Sequence, residues 1–150
     1  MGGNVWGTQN PSYVQGFGGT VAGADVACPS GSETNVIQIA TVVAPTPGQW
    51  RTLIVGVLGI SLGATPPTAI VLAARIGAGA DFDSYQVPVG ALVANATLAM
   101  PVFLNGPIST TLWFPSAPTV NITVAPTAQA VTVRFVGSRA YCNIWRLGDQ

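Results

Sequence analysis

Few residues in this chain could do chemistry, and their types narrow the options at once. Its 150 residues include no histidine and no lysine, so the commonest general base and the usual Schiff-base nucleophile are both missing. A catalytic mechanism would have to run on carboxylates, tyrosine or cysteine. Asp81 and Asp83 form the one close acidic pair, inside the glycine-rich stretch Gly77-Ala78-Gly79-Ala80-Asp81-Phe82-Asp83-Ser84. They could ligate calcium, but the calcium-loop pattern closes on a glutamate, and Leu92 stands at that position. The stretch therefore reads as a mobile, solvated surface loop. Asp25 and Glu33 flank Cys28-Pro29 without forming a motif. No catalytic residue, no cofactor and no metal site is expected.

Cys28 and Cys142 are too few for a disulfide scaffold, and their separation fits no metal-ligand spacing. Two buried free thiols is one reading. The other is a single bond tying the N-terminal segment to the last strand. The four tryptophans (Trp6, Trp50, Trp113 and Trp145) and three tyrosines could serve as sugar-stacking platforms in a lectin-like sandwich. Aromatics so placed also serve as core or interface anchors. Trp50-Arg51 and Trp145-Arg146 set an arginine beside an indole at the start and end of strands, which suits subunit contacts. Trp6, Tyr13, Phe17, Trp50, Arg51, Trp113, Trp145 and Arg146 are accordingly the candidate assembly residues.

Hydrophobic residues make up 49% of the chain and charged residues 7%, where a soluble domain usually has about 25% charged. Five arginines balance five acids, and a net charge near zero favours self-association. Lysine is depleted at interfaces while arginine is retained. The composition thus points to an exterior largely covered by neighbouring subunits. A neutral monomer whose surface is built from Thr, Ser, Asn and Gln is the alternative. The arginines are dispersed among acids, so no nucleic-acid groove is expected. No membrane span is expected either: Pro88, Asn95 and Pro101 interrupt the most apolar window, Val87 to Leu104. The start of the sequence has neither the basic residues nor the apolar run of a signal peptide.

These residues must be positioned by β-structure. Thr52 to Leu62 carries apolar residues on both alternation phases, as a strand covered on both faces does. Proline-rich segments bracket it, which marks it as the central strand. Residues 1–35 are rich in glycine, with Trp6, Tyr13, Val14 and Phe17 as anchors. They read as an extended arm that either crosses to a neighbouring subunit or packs across its own domain. From Val36 to the C-terminus, short β-runs alternate with Pro, Gly and Asn. Strands are expected at Val36 to Val43, Ala69 to Ile76, Tyr85 to Val89, Thr97 to Leu104, Thr110 to Phe114, Thr119 to Val124, Ala130 to Val136 and Ala140 to Leu147. Pro101 assigns its strand to an edge or a bulge, and Asn105-Gly106-Pro107 is a turn signal. In Thr119 to Val124, Val120, Ile122 and Val124 face inward, with Thr and Asn outward. Eight or nine strands without a convincing helix indicate an all-β protein. The expected form is an antiparallel β-sandwich, jelly-roll-like, with domain limits at 36–150.

A glycine-rich arm, Val/Thr/Ala strands with Pro-Thr turns and the aromatic-rich run Arg139-Ala140-Tyr141-Cys142-Asn143-Ile144-Trp145-Arg146-Leu147 together resemble small virion proteins of tailed bacteriophages. Many of these are jelly-roll decoration, or cement, proteins that sit as trimers on the capsid. The resemblance implies a structural role on the capsid surface, with other copies and the major capsid protein, or other virion proteins, as partners. It also implies that residues 1–35 act as a docking arm. A secreted or cell-surface β-sandwich that binds glycans is the alternative, with Trp113 or Trp50 as the platform.

Overall fold

The computed structural model describes residues 13–15, 19–20, 23–40, 48–110 and 119–146. Among these residues ten strands occur in chain order: β1 (Tyr13–Gln15), β2 (Gly19–Thr20), β3 (Val26–Cys28), β4 (Thr34–Ala40), β5 (Gly48–Ser61), β6 (Ala69–Ile76), β7 (Asp81–Gln86), β8 (Thr97–Thr110), β9 (Thr119–Thr127) and β10 (Val131–Arg146). One 3-10 turn lies at Val89–Ala91. No helix among the described residues is long and apolar enough to cross a membrane.

The strands form two antiparallel sheets. In the first, the order is β1-β10-β5-β8, and β2 and β3 also pair with β10. Because β1, β2 and β3 meet β10 at Trp145, Ala140 and Val133 respectively, they lie in tandem along one of its edges as a single interrupted strand. The second sheet has the order β4-β9-β6-β7. Counting the interrupted strand once, successive strands distribute over two four-stranded sheets with non-sequential neighbours, which is the eight-stranded jelly roll. The described pieces of the glycine-rich segment thus form an edge of their own sheet, and Trp6 and Phe17 lie outside the described residues.

Alternation along the strands explains the sandwich. Ile54, Leu58 and Ile60 of β5, Leu104 of β8 and Ile144 of β10 are fully buried and face Ile37, Ile39, Ile70, Leu72 and Ile122 of the other sheet. Burying each such side chain is worth about 1.5–3 kcal/mol. As the sequence suggests, Val120, Ile122 and Val124 point inward. Asn121 and Thr123, expected at the surface, are also buried. The cause is a polar lid: Thr123 donates its hydroxyl to Glu33, which pairs with Arg75. The Asn121 amide donates to the Gly77 carbonyl at 2.7 Å.

Three further expectations are corrected. The stretch 77–84 is not a mobile loop throughout, because Asp81 begins β7, which pairs with β6 from Arg75 to Val71. Asn105-Gly106-Pro107 is not a turn, since β8 runs through it against Leu53, Thr52 and Arg51 of β5. Gly106 is needed there for close passage: a Cβ at this position would lie 2.7 Å from the Phe82 carbonyl oxygen. The runs at 130–136 and 140–147 are one strand, β10, whose register shifts between Arg134 and Arg139. Gly137, at φ 92°, allows the chain to arch there. Ser138 is buried in the arch and accepts the Gly59 N–H at 3.0 Å, replacing the lost ladder bond.

Pro101 does lie in an edge strand, β8. That edge is blunted from the other sheet. Asp83 of β7 accepts the Asn105 N–H at 2.6 Å, and the Tyr85 hydroxyl donates to the Pro101 carbonyl. A carboxylate and a phenol thus occupy backbone groups that would otherwise be open to another chain.

Candidate functional site

The described acids are all engaged inside the fold. Asp81 binds Arg75 through Nε at 3.0 Å and through a terminal guanidinium nitrogen at 2.9 Å. Asp83 accepts the N–H groups of Ser84 and Asn105. Asp25 pairs with Arg134 at 3.2 Å and accepts the Phe135 N–H at 2.8 Å, which pins β3 to the arch in β10. Burial pushes the Glu33 carboxyl up, but the Thr123 hydroxyl and the Arg75 guanidinium together outweigh it and leave the group below its ordinary value. These carboxylates act as structural ties. Among the described residues, no cluster of three His, Cys, Asp or Glu could hold a metal ion.

Cys28 and Cys142 are both buried and free. Burial pushes the Cys142 thiol up to about 12. Burial also raises Cys28, against smaller opposing effects from Thr34 and the Val133 backbone. Thiols held in that form are poor nucleophiles. A groove of about 300 Å³ at one end of the first sheet is lined by Ala27, Ser61, Leu62, Gly63, Ala130, Val131 and Thr132 and contains no ionisable group.

The feature that remains is the outer face of the sheet formed by β10, β5 and β8. Inward residues of β5 are buried, but the outward phase is not: Val55 is 47% exposed, and Leu53 and Val57 are half-buried. Among the described residues, the central strand is therefore covered on one face and only partly on the other. Strand register sets Tyr141 of β10 directly opposite Val55, and Val55 directly opposite Phe103 of β8. Tyr141 is 58% and Phe103 61% exposed. Three apolar side chains thus form one row across three strands, at spacings of about 4.8 Å per strand. The neighbouring rows are Arg139-Val57-Pro101 on one side and Asn143-Leu53-Asn105 on the other. Arg139 and Arg51 are exposed, and neither has an ion pair among the described residues.

Five of the eight sequence candidates gather at one end of this sheet. Tyr13 pairs with Trp145, which pairs with Arg51, and Arg146 pairs with Trp50. Trp6, Phe17 and Trp113 lie outside the described residues. The residues that make the exposed row, Tyr141, Val55 and Phe103, are not among the eight. Their signal was present in the sequence: Tyr141 shares the alternation phase of Trp145, and Val55 lies on the second apolar phase of the central strand.

Fold and surface define a jelly-roll β-sandwich that carries an exposed apolar row on one sheet face and, among the described residues, no metal-holding cluster of acids, cysteines or histidines. No family model and no curated protein matches the chain. Among solved structures, it is similar to Eiger TNF from S. frugiperda, with 6% identity, coverage of 95% of this chain and 96% of that chain, and a TM-score of 0.39.

Proposed function

We propose that this chain is a virion structural protein, a capsid decoration protein that works as an assembled oligomer and binds at junctions between major capsid subunits. The observation that carries the assembly part is the row Tyr141-Val55-Phe103, apolar and exposed in the middle of a sheet face. Exposed apolar patches of this kind mark interaction sites. The virion part rests on the sequence resemblance to phage decoration proteins. In this reading the protein is not an enzyme; it adds contacts between neighbours, and many weak contacts sum through multivalency on a shell.

Quantitative mass spectrometry of purified phage particles whose genome encodes this chain tests the proposal. The expected result is recovery of the protein at a copy number comparable to that of the capsid subunits. Its absence from intact particles would overturn the reading.

A second reading is supported by the same row. Tyr141 and Phe103 are exposed aromatic side chains on a sheet face, and such rings can stack on sugars in a cell-surface glycan-binding sandwich. A glycan array decides: binding that Tyr141→Ala abolishes favours the sugar ligand, and an array without hits removes it.

A further inference from the structure

One end of the sandwich carries a second surface, remote from the row of Tyr141, Val55 and Phe103. The connections 29–32, 62–68, 87–96 and 128–130 all lie at this end, because Cys28 pairs with Val131, Ser61 with Thr132 and Thr97, Ala69 with Thr127, and Gln86 with Val71. Their sequences contain no Asp, Glu, Lys or Arg and no aromatic residue, where about a quarter of an ordinary soluble domain is charged. Asp25 and Glu33 are the nearest acids in sequence, and both are engaged on the flanks: Asp25 with Arg134, Glu33 with Thr123 and Arg75. Backbone hydrogen bonds tie the connections together. Leu62 N–H donates to the Ala96 carbonyl at 2.8 Å and Asn95 N–H to that of Gly63 at 2.9 Å, while Thr68 N–H reaches the Thr127 carbonyl at 3.0 Å and Gly31 N–H that of Pro126 at 2.9 Å. The surface is thus preformed, and a partner would have little of it left to order.

The groove described above opens on this end. Strand register sets Ala27 of β3, Thr132 of β10 and Ser61 of β5 in one row along it, and Thr97 of β8 continues the row beyond. The hydroxyls of Thr132, Ser61 and Thr97 therefore recur at about 4.8 Å per strand, and none of them bonds to another described residue. A hydroxyl both donates and accepts, so the row offers hydrogen bonds without charge, beside the apolar Leu62, Ala130 and Val131. We infer, building on the capsid-decoration reading above, that this charge-free end is the surface that docks on the shell, and that the groove seats an uncharged, extended segment of the capsid subunit against Thr132 and Ser61.

The chemistry of the surface selects that occupant. Phosphate backbones and anionic membranes need cations, and these connections have none. A neutral bilayer interface calls for Trp or Tyr anchors, which are also missing. A charged protein segment would lose its water against a surface with nothing to pair it, whereas a neutral segment can satisfy its backbone groups on the hydroxyl row. The placement suits a protein that joins neighbours. Ser61 lies six residues from Val55 on β5, about 20 Å along the strand, so the sheet-face row and the loop end can be occupied at once. The described residues that adjoin the longer undescribed stretches, Tyr13, Ala40, Gly48, Thr110, Thr119 and Arg146, all sit at the opposite end of the strands.

Rebinding to the shell provides the test. Phage particles whose genome encodes this chain, assembled without it, are mixed with the full chain as wild type, Ser61→Asp, Ala130→Asp and Gln38→Asp. The last places the same charge at an exposed position on the outer face of the other sheet. Wild type is expected to bind with an affinity that stays level or rises between about 0.1 and 1 M salt, as the screening length falls from about 10 to 3 Å. Ser61→Asp and Ala130→Asp are expected to weaken binding by at least about tenfold, because each sets an unpaired charge in the contact, and Gln38→Asp by less than about twofold. Ala130 is exposed in its connection, which keeps the test open should Ser61→Asp fail to fold. Folded Ala130→Asp and Ser61→Asp proteins that bind like wild type would overturn the loop end as the docking surface and leave the decoration reading standing. Binding that falls steeply with salt would overturn the charge-free contact. Binding of wild type to phosphatidylcholine vesicles, lost in Ser61→Asp, would overturn the protein occupant in favour of a lipid surface. A wild type that does not bind the particles at all would overturn both readings.

Discussion

The two glycines inside the central strand, Gly56 and Gly59, should respond in opposite directions to the same substitution. A Cβ on Gly56 would lie 2.2 Å from the Arg139 carbonyl oxygen, 2.6 Å from the Ala140 Cα and 2.8 Å from the Ala140 Cβ. Two of these are backbone atoms of the adjacent strand and cannot rotate away. β5 and β10 would have to part by about 1 Å in the middle of their ladder, and overpacking of this kind costs roughly 1–3 kcal/mol. The entropy gain of replacing glycine by alanine, about 0.4–1 kcal/mol, offsets only part of that. At about 2–4 °C per kcal/mol for a domain of this size, Gly56→Ala is expected to lower Tm by several degrees. At Gly59 the nearest atom to an added Cβ is the Arg134 Cβ at 3.4 Å, followed by the Val136 carbonyl oxygen at 3.6 Å. These are ordinary contacts, and the N–H that donates to Ser138 is retained. Gly59→Ala is expected to raise Tm by about 1–4 °C, since the entropy gain is then unopposed. Thermal unfolding followed by circular dichroism at one fixed protein concentration measures both, because oligomer formation makes Tm concentration-dependent. A Gly56→Ala protein that melts at or above wild type would refute the reasoning, as would a Gly59→Ala protein that falls equally far.

Other perturbations have equally definite outcomes. Asp83→Ala strands the Asn105 N–H at the β8 edge, which should cost about 1–3 kcal/mol; hydrogen exchange at Asn105 is expected to accelerate, and less so in Asp83→Asn, which keeps an acceptor. The Glu33 carboxyl is held below its ordinary value by Thr123 and Arg75 despite partial desolvation, so its contribution is present above the ordinary carboxylate range and lost as pH falls through the lowered value. The Tm gap between wild type and Glu33→Gln should therefore be open at neutral pH and close in acid; a gap that widens on acidification would contradict the assignment. Cys142, pushed up to about 12 by burial, should not react with a thiol reagent at pH 8 in the native protein and should react fully once the chain is denatured.

The sequence made the layers legible because alternation is a local signal. Val120, Ile122 and Val124 of β9 face inward on the phase their pattern suggests, and Pro101 marked an edge because it has no N–H to give a ladder. The Asn105-Gly106-Pro107 signal misled for a physical reason. Glycine there serves a close passage between sheets, and proline is tolerated in an edge strand, so two turn-forming residues sit within continuous β8. Local pattern likewise split β10 in two, because Gly137 and Ser138 interrupt the apolar alternation. The strand survives since the Ser138 hydroxyl takes over a backbone bond. The exposed row was hidden for a different reason. Tyr141, Val55 and Phe103 are far apart in the chain, and only the pairing register across three strands makes them neighbours.

The position of β10 also sets the order in which the molecule can form. It follows every other described strand in the chain, yet it lies inside its sheet, between β5 and the strands β1, β2 and β3. Until it emerges from the ribosome, β3 and β5 have no common partner, and the first sheet cannot close. Strands β1, β2 and β3 must wait for β10, a loop closure that spans all the strands between them. Such non-local pairing is slow and leaves strand edges open in the meantime. Folding is therefore expected to begin in the sheet of β4, β9, β6 and β7, and to end with a late insertion of β10 between β5 and the strands β1, β2 and β3.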